Sequence, residues 1–592
     1  MRQAVTYPIT RLPNYPISWR LLALCSSAVA LILSVAPRAQ IGKFTPVTQA
    51  MLENPSPEDW LMYSRTYDAQ RFSPLKQITR QNVSQLRQVW THEMGMGTVE
   101  SIPLVSRGIM YFAVPGAGVR ALDAATGAVI WDYKRPLGNS RTKTLAIFDD
   151  MIYYTAPDGF IVALDARTGE LRWETKTTGG LTSGPIVVDG KVLSGRTCTG
   201  QRANCYIAAH DARTGKEVWK FFTAAGPDEP GGETWGGAPE ATRAASTWGL
   251  PGSYDPVRKI VYWGVANPTP NTRAARHGGN PDAVPTYAPA DLYSNSTVAL
   301  NVQTGKLAWY YQHLPGDDWD EDYTHERTLI RTTVNPNPRL VKWINPDIPR
   351  GQPRDLAVMV GEGGGIFALD RSTGRFLWAT PFPYDVKNFI IASIDVKTGI
   401  THLNTDLIFR EPGQKHTLCF WNTRSYWPLA YHPGLNSLYV PYVDNCLDMT
   451  SAIPATADQP AVSEKRVGAR RSGTEIEAFA GIGKINMSTG EITRFYTGRA
   501  PGNGAMLATA GDVIFWGDLA QKFRAFDANT GKILWEQTLV GAIQNSTITY
   551  AVNGKQYVAV FTGEGALTGG LIEQAGIQPT RRHNAVYVFA LP

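Results

Sequence analysis

The sequence predicts an all-β fold, an eight-bladed β-propeller with tryptophan-docking repeats. Three observations carry that prediction: a recurring hairpin motif, its weaker copies, and their uneven spacing. The motif Ala-x-Asp-x-x-Thr-Gly-x-x-x-Trp stands at 121–131, 163–173, 209–219, 368–378 and 525–535. The copy at 299–309 has Asn301 for the aspartate, and 485–494 keeps Asn486, Thr489 and Gly490 but lacks the tryptophan. Long stretches separate Trp219 from Ala299 and Trp378 from Ile485. A propeller with inserted loops tolerates such gaps better than a uniform solenoid does.

Each part of the motif has a physical task. An apolar strand runs into Asp-x-x-Thr-Gly, where the Asp and Thr side chains bond turn amides and Gly accepts a positive φ. The next strand ends on a Trp large enough to fill the gap between neighbouring sheets. Such hairpins cannot bury their faces alone, and radial closure also shields their edges. Trp90 supplies a further blade tryptophan ahead of the first full copy. About eight units fit, and residues 40–592 are read as one domain. The 592 residues are 43% hydrophobic and 18% charged, which suits a sizeable core.

Residues 1–39 are read as a secretory signal, outside the fold. Arg11 and Arg20 precede an apolar run at 21–36, and a small-residue cleavage pattern ends at Ala39. The run is short for a membrane span, which needs about 20 residues. The mature chain is therefore expected to be exported, with no membrane span. Cys198, Cys205, Cys419 and Cys446 then remain. An even number in an oxidising compartment implies disulfides, with Cys198–Cys205 and Cys419–Cys446 the economical pairing. No Cys-x-x-Cys-His stands in the sequence, so no c-type haem is expected. The formal charge of +6 is small and gathers on no single face, which argues against a nucleic-acid partner. The basic cluster Lys465-Arg466 with Arg470-Arg471 is read as a solvated loop.

Several motifs are decoys. Gly116-Ala117-Gly118 imitates a dinucleotide fingerprint but runs straight into the hairpin at Asp123 instead of a helix. Gly363-Gly364-Gly365 lacks the Lys-Ser/Thr of a phosphate loop. His325-Glu326 begins like a zincin helix without its second histidine. Since propellers host unrelated functions, the site has to decide between them.

The repeat with these inserted loops resembles the PQQ-dependent alcohol dehydrogenases, the quinoprotein methanol and ethanol dehydrogenase family, over nearly the whole mature chain. Local segments are similar to that family's site. Segment 99–105 resembles the one whose glutamate, here Glu100, hydrogen-bonds pyrroloquinoline quinone (PQQ). Segment 181–185 resembles the one whose threonine, here Thr182, contacts a PQQ carboxylate. Trp248 matches the tryptophan under the cofactor, on which a planar quinone stacks. Asn267, in Gly264-Val-Ala-Asn267-Pro268, matches the asparagine metal ligand, and Asp320 the catalytic aspartate. The resemblance implies hydride transfer from an alcohol to a metal-polarised quinone, with Asp320 as base. Asn267 and Asp320 are the oxygen ligands expected of a hard cation. Asp322 stands two positions beyond Asp320, the spacing of the family's lanthanide-using branch, so the expected ion is Ca²⁺ or a lanthanide. A periplasmic location and a periplasmic cytochrome c as electron acceptor are also implied.

The chain departs from the family in four places. The vicinal Cys-Cys and the Asn-Arg-Gly step are replaced by Lys143-Thr144-Leu145 and Phe148-Asp149-Asp150. Gly363 falls where a Lys or Arg is usual, and Asn503 stands for a late-blade tryptophan, still able to donate a hydrogen bond to the cofactor. No glutamate in 195–205 completes the metal shell. Arg196 or Lys143 is expected to replace the missing positive charge. Two other readings stay open: a non-catalytic propeller acting as a binding or assembly scaffold, and a PQQ oxidoreductase for sugars or bulky hydroxy compounds. The loops at 228–247, 270–295 and 450–475 are expected to shape access to the site.

Overall fold

The repeat folds into a hairpin in which every conserved-type side chain is used. In the first copy, Asp123 Oδ1 accepts from the amides of Ala125 and Thr126 and from Thr126 Oγ1. Asp211, Asn301, Asp370, Asn486 and Asp527 accept from the matching turn amides in theirs. Gly127 closes the turn at φ 75°, a left-handed value that costs glycine nothing. Across the hairpin a small alanine faces each large indole, as in Ala121–Trp131, Ala209–Trp219 and Ala525–Trp535. A register shift follows that pair in each, bending the strand toward its neighbour.

The computed structural model describes residues 44–592 except 136, 138–141, 181, 182, 199, 425, 426, 456 and 457. The expected signal segment and Thr182 lie outside the described residues. Residues Ala39–Pro592 form one unit. Its strands make eight sheets of four or five strands, which follow one another along the chain at 104–133, 145–176, 186–222, 253–312, 328–380, 430–498, 507–538 and 547–590. The last sheet is completed by an N-terminal strand: Arg87–Glu93 pairs antiparallel with Ala585–Ala590. Phe72–Ser73 likewise adds to the seventh sheet, parallel to Leu507–Thr509. The architecture is an all-β propeller in which Phe72–Ser73 and Arg87–Glu93 complete the last two sheets.

The indoles bridge successive sheets. Trp131 Nε1 donates to Ala166 O at 3.1 Å, and a Cβ placed on Gly169 would lie 2.6 Å from its ring. Trp90, Trp173, Trp219 and Trp309 meet Gly127, Gly215, Gly305 and Gly374 in the same way. In the copy without a tryptophan, Arg494 faces Gly483, and the neighbouring Phe495 packs against Tyr439 and Phe526 instead. Apolar side chains such as Tyr111, Ile152, Tyr153 and Ile161 fill the continuous core between the first sheets.

Two disulfides, Cys198–Cys205 and Cys419–Cys446, join the expected partners. The second staples an inserted three-stranded sheet made of Lys415–Cys419, Asn445–Thr450 and Lys465–Arg470. This sheet corrects the reading of the basic cluster as a solvated loop. Its last strand alternates at first, so that Lys465 and Val467 are exposed while Arg466 and Gly468 turn inward. Arg471 pairs with buried Asp444 at 2.6 Å. The failed zincin pair is also absorbed by structure, because Glu326 is buried against Arg424 at 2.5 Å and accepts from the Leu429 amide. No helix among the described residues is long and apolar enough to cross a membrane.

Candidate active site

Loops from several sheets converge on one cavity of about 360 Å³. It is lined by Glu100, Lys143, Thr197, Trp248, Asp320, Asp322, Glu362, Trp421, Asn422, Arg466, Ala566 and Leu567. Of the residues singled out in the sequence, Glu100, Trp248, Asp320 and Asp322 thus come together at its wall. Asn267 stands behind them, its amide donating to Asp322 Oδ1 at 2.8 Å. Asn503 is buried but does not line the cavity, and its Nδ2 has no hydrogen-bond partner among the described residues.

Trp248 is half-buried and fixed from both ends. Its Nε1 donates to Asp322 Oδ2 at 2.5 Å, and its carbonyl accepts from Lys143 Nζ at 3.1 Å. The same ammonium lies 4.4 Å from the ring centroid, a cation–π contact. Lys143 is therefore the cation that the departure at 143–145 brings to the site. Arg196, its alternative, is turned away: it is fully buried, bonds Ser194 and Gly195, and stacks 4.5 Å over Tyr206. Glu100 is buried as well, and its Oε1 accepts from the Ala566 amide at 3.0 Å, which ties down the segment forming one rim of the cavity.

The acidic run 317–322 divides into builders and presenters. Asp317 accepts from the amides of Trp319 at 2.6 Å and Glu321 at 2.8 Å, and Asp318 accepts from the amides of Arg273 and Phe409. Both are buried and shape the loop. Asp320 and Asp322 are presented to the cavity. Burial pushes the Asp320 carboxyl up to about 6, against the opposing pull of Arg466. Burial and the Asp320 charge raise Asp322 well above the usual carboxylate range. Glu362 is raised likewise by burial and by Asp322 and Asp320. Three carboxylates around one cavity ionise together only at a cost, which Arg466 and Lys143 offset in part.

Glu362, Trp421 and Arg466 went unnoticed as site residues in the sequence. Glu362 sits in Gly361-Glu362-Gly363-Gly364 after the strand Gln352–Val360, and a carboxylate inside a glycine run was its only signal. It brings the carboxylate that 195–205 lacks; that stretch contributes Thr197 instead. The glycine at 363 is packed, since a Cβ there would lie 2.6 Å from Ile390 and 3.2 Å from Glu321. A basic side chain has no room at that point, and Arg466 reaches the cavity from the inserted sheet.

The donor chemistry fits a hard cation, because Asp320, Asp322, Glu362 and Asn267 offer only oxygen or amide ligands. Among the described residues no group of three His, Cys, Asp or Glu side chains is already arranged to hold a metal ion. The lining also suits a planar anionic ring system, with the Trp248 indole and the Lys143 ammonium in its wall, while Arg466 is engaged with Asp320.

An all-β propeller with an acidic, Trp248-lined pocket points to a class, the quinoprotein dehydrogenase propellers. Comparison with known proteins agrees. The family model of the PQQ glucose/ethanol/alcohol dehydrogenase β-propeller domain matches residues 60–147, 176–382 and 475–558. This chain belongs to that family. Quinohemoprotein alcohol dehydrogenase ADH-IIG of Pseudomonas putida is 30% identical, over 94% of this chain and 81% of that protein. The dehydrogenase subunit of the alcohol dehydrogenase (quinone) of Gluconobacter oxydans is 29% identical, over 96% and 79%. Among solved structures, a europium-containing methanol dehydrogenase superposes with a TM-score of 0.79 at 27% identity, covering 92% of this chain and 100% of that one.

Proposed function

We propose that this chain is a periplasmic PQQ-dependent dehydrogenase that oxidises an alcohol to an aldehyde or ketone, with Asp320 as the base. The observation that carries the reading is a carboxylate with a raised pKa at the wall of an indole-floored cavity. PQQ bound with its metal ion supplies the hydride acceptor and the Lewis acid. The protein's part is binding, orientation and proton transfer. Trp248 offers a stacking surface, and Lys143 pairs a cofactor carboxylate, a task to which Thr182 also contributes. Glu100 accepts at the ring's polar edge, whereas Asn503, off the cavity wall, is left without a contact to the ring. Asn267, Asp320 and Asp322 hold the metal, with Glu362 as a further oxygen donor. With these groups bound, Asp320 would take the hydroxyl proton of the alcohol.

Asp322 adds negative charge beside Asp320 and favours a trivalent ion, so a lanthanide is expected to serve better than calcium. The europium of the similar methanol dehydrogenase supports that preference. Electrons pass onward to a separate periplasmic cytochrome c. The eight sheets are read as eight blades, held in a ring by the Trp-on-Gly contacts.

The test is an absorbance titration of purified, metal-stripped protein with PQQ, in the presence of calcium, lanthanum or no metal. Saturable, metal-dependent binding near one quinone per chain, tighter with lanthanum, is expected, followed by turnover of a primary alcohol. No binding with any metal would overturn the enzyme reading and favour a non-catalytic scaffold.

A further inference from the structure

The loop holds Asp320 in a left-handed conformation. Its φ is +66°, a region uncommon for non-glycine residues, which aspartate enters more readily than most. Such a conformation persists only where the surroundings over-determine it. From within, Asp317 fixes the amides on either side, those of Trp319 and Glu321. From outside, a single side chain completes the hold. Arg466 Nη1 bonds Asp320 Oδ2, and its Nη2 donates to the Trp319 carbonyl at 2.5 Å. The fork thus grips one side-chain oxygen of Asp320 and the peptide just before it, and leaves Oδ1 outside its grip.

Arg466 comes from 146 residues away and from rigid structure. It sits on the inner face of the strand Lys465–Arg470, paired opposite Met449. Gly468, two residues on, shares that face and lets the strand approach closely, since a Cβ there would lie 2.4 Å from Trp421. The next strand is stapled to Lys415–Cys419 by the Cys419–Cys446 disulfide. The guanidinium carbon lies 5.9 Å from the Trp421 ring centroid, which fixes the fork from its other side.

We propose that Arg466 is a positioning residue that aims the Asp320 carboxylate, delivered by the disulfide-stapled inserted sheet. The inference rests on the reading of Asp320 as base. A planar fork making two directed bonds is needed for it, so charge alone does not suffice. Misplacement of a reacting group by an ångström costs on the order of 100-fold in rate.

Two measurements on the full chain test it. In the metal- and quinone-free protein, hydrogen exchange of the 317–322 amides is compared between wild type, Arg466→Gln and Arg466→Lys. In the loaded enzyme, kcat, KM and PQQ affinity are measured for the same proteins. Exchange in 317–322 is expected to speed up about tenfold or more in both variants, with global unfolding little changed. The kcat is expected to fall about 10- to 100-fold, with KM and PQQ affinity within a factor of about three. Added guanidinium ion, well below denaturing concentrations, is expected to restore part of the loss in Arg466→Ala. Unchanged exchange would overturn the proposal, as would an unchanged kcat in a wild-type background that turns over. A joint loss of PQQ affinity would overturn it too, by making Arg466 a cofactor ligand. If wild type itself neither binds PQQ nor turns over, the base reading fails while the exchange comparison still decides the clamp.

Discussion

Asp320 and Glu362 carry the chemistry of the pocket in opposite ways. Asp320 is half-exposed to the cavity and pushed up to about 6, within reach of a general base at neutral pH. Asp320→Asn is therefore expected to lower kcat about 100-fold or more while PQQ still binds, which steady-state kinetics beside a PQQ titration would check. Glu362 is buried and held toward its neutral form by burial and by Asp322 and Asp320. A carboxyl whose folded pKa is raised binds more protons folded than unfolded, so it subtracts stability as pH rises above its unfolded value of about 4.3. In metal-free protein, Glu362→Gln is expected to raise Tm at pH 7, and the gain is expected to vanish as pH falls toward 4. The same variant is expected to respond less to lanthanum. Differential scanning calorimetry across that range, with and without the ion, reads both effects.

The hairpin is the element that sets everything above it. Its Asp, Thr and Gly satisfy the turn, and its Trp fills the space over the next copy's glycine. Trp131→Ala removes a large buried ring together with the bond to Ala166 O, and is expected to cost about 3–5 kcal/mol. Gly169→Ala is expected to destabilise from the opposite side of that contact, since its Cβ would meet the indole at 2.6 Å at a φ of +75°. Denaturant melts of the single and double variants form a cycle. Strong non-additivity would identify the two positions as one contact. Where the tryptophan is missing, Phe495 takes over the packing, which is why an incomplete copy still yields a regular sheet.

At the scale of the molecule, Arg87–Glu93 and the strand near the C-terminus close one sheet together. Ala585–Ala590 lies between Arg87–Glu93 and Lys555–Thr562, so its removal leaves Arg87–Glu93 unpaired and bares one edge of Lys555–Thr562, which keeps its pairing with Thr547–Val552. A chain ending at 584 is expected to lose cooperative unfolding by circular dichroism and to aggregate, whereas alanine changes at exposed Lys532 and Lys465 leave the melt unaltered. Much of this was legible beforehand, because hairpin turns, indoles and cysteine parity are local or compositional signals. Five of the seven singled-out site residues, Glu100, Trp248, Asn267, Asp320 and Asp322, prove to cluster at one cavity or directly behind it. Asn503 lies off its wall, and Thr182 outside the described residues. By itself the sequence determined the repeating unit, the disulfide partners and the family, since each is written in residues close together or in a pattern that recurs. Only the tertiary structure decided that Glu362 supplies a carboxylate, that Lys143 and not Arg196 faces the indole, and that Arg466 grips Asp320. Those pairings join side chains from separate sheets, up to 146 residues apart, and depend on which face of a strand each one takes. Burial and proximity, which fix their charge and reach, exist only once the sheets have closed.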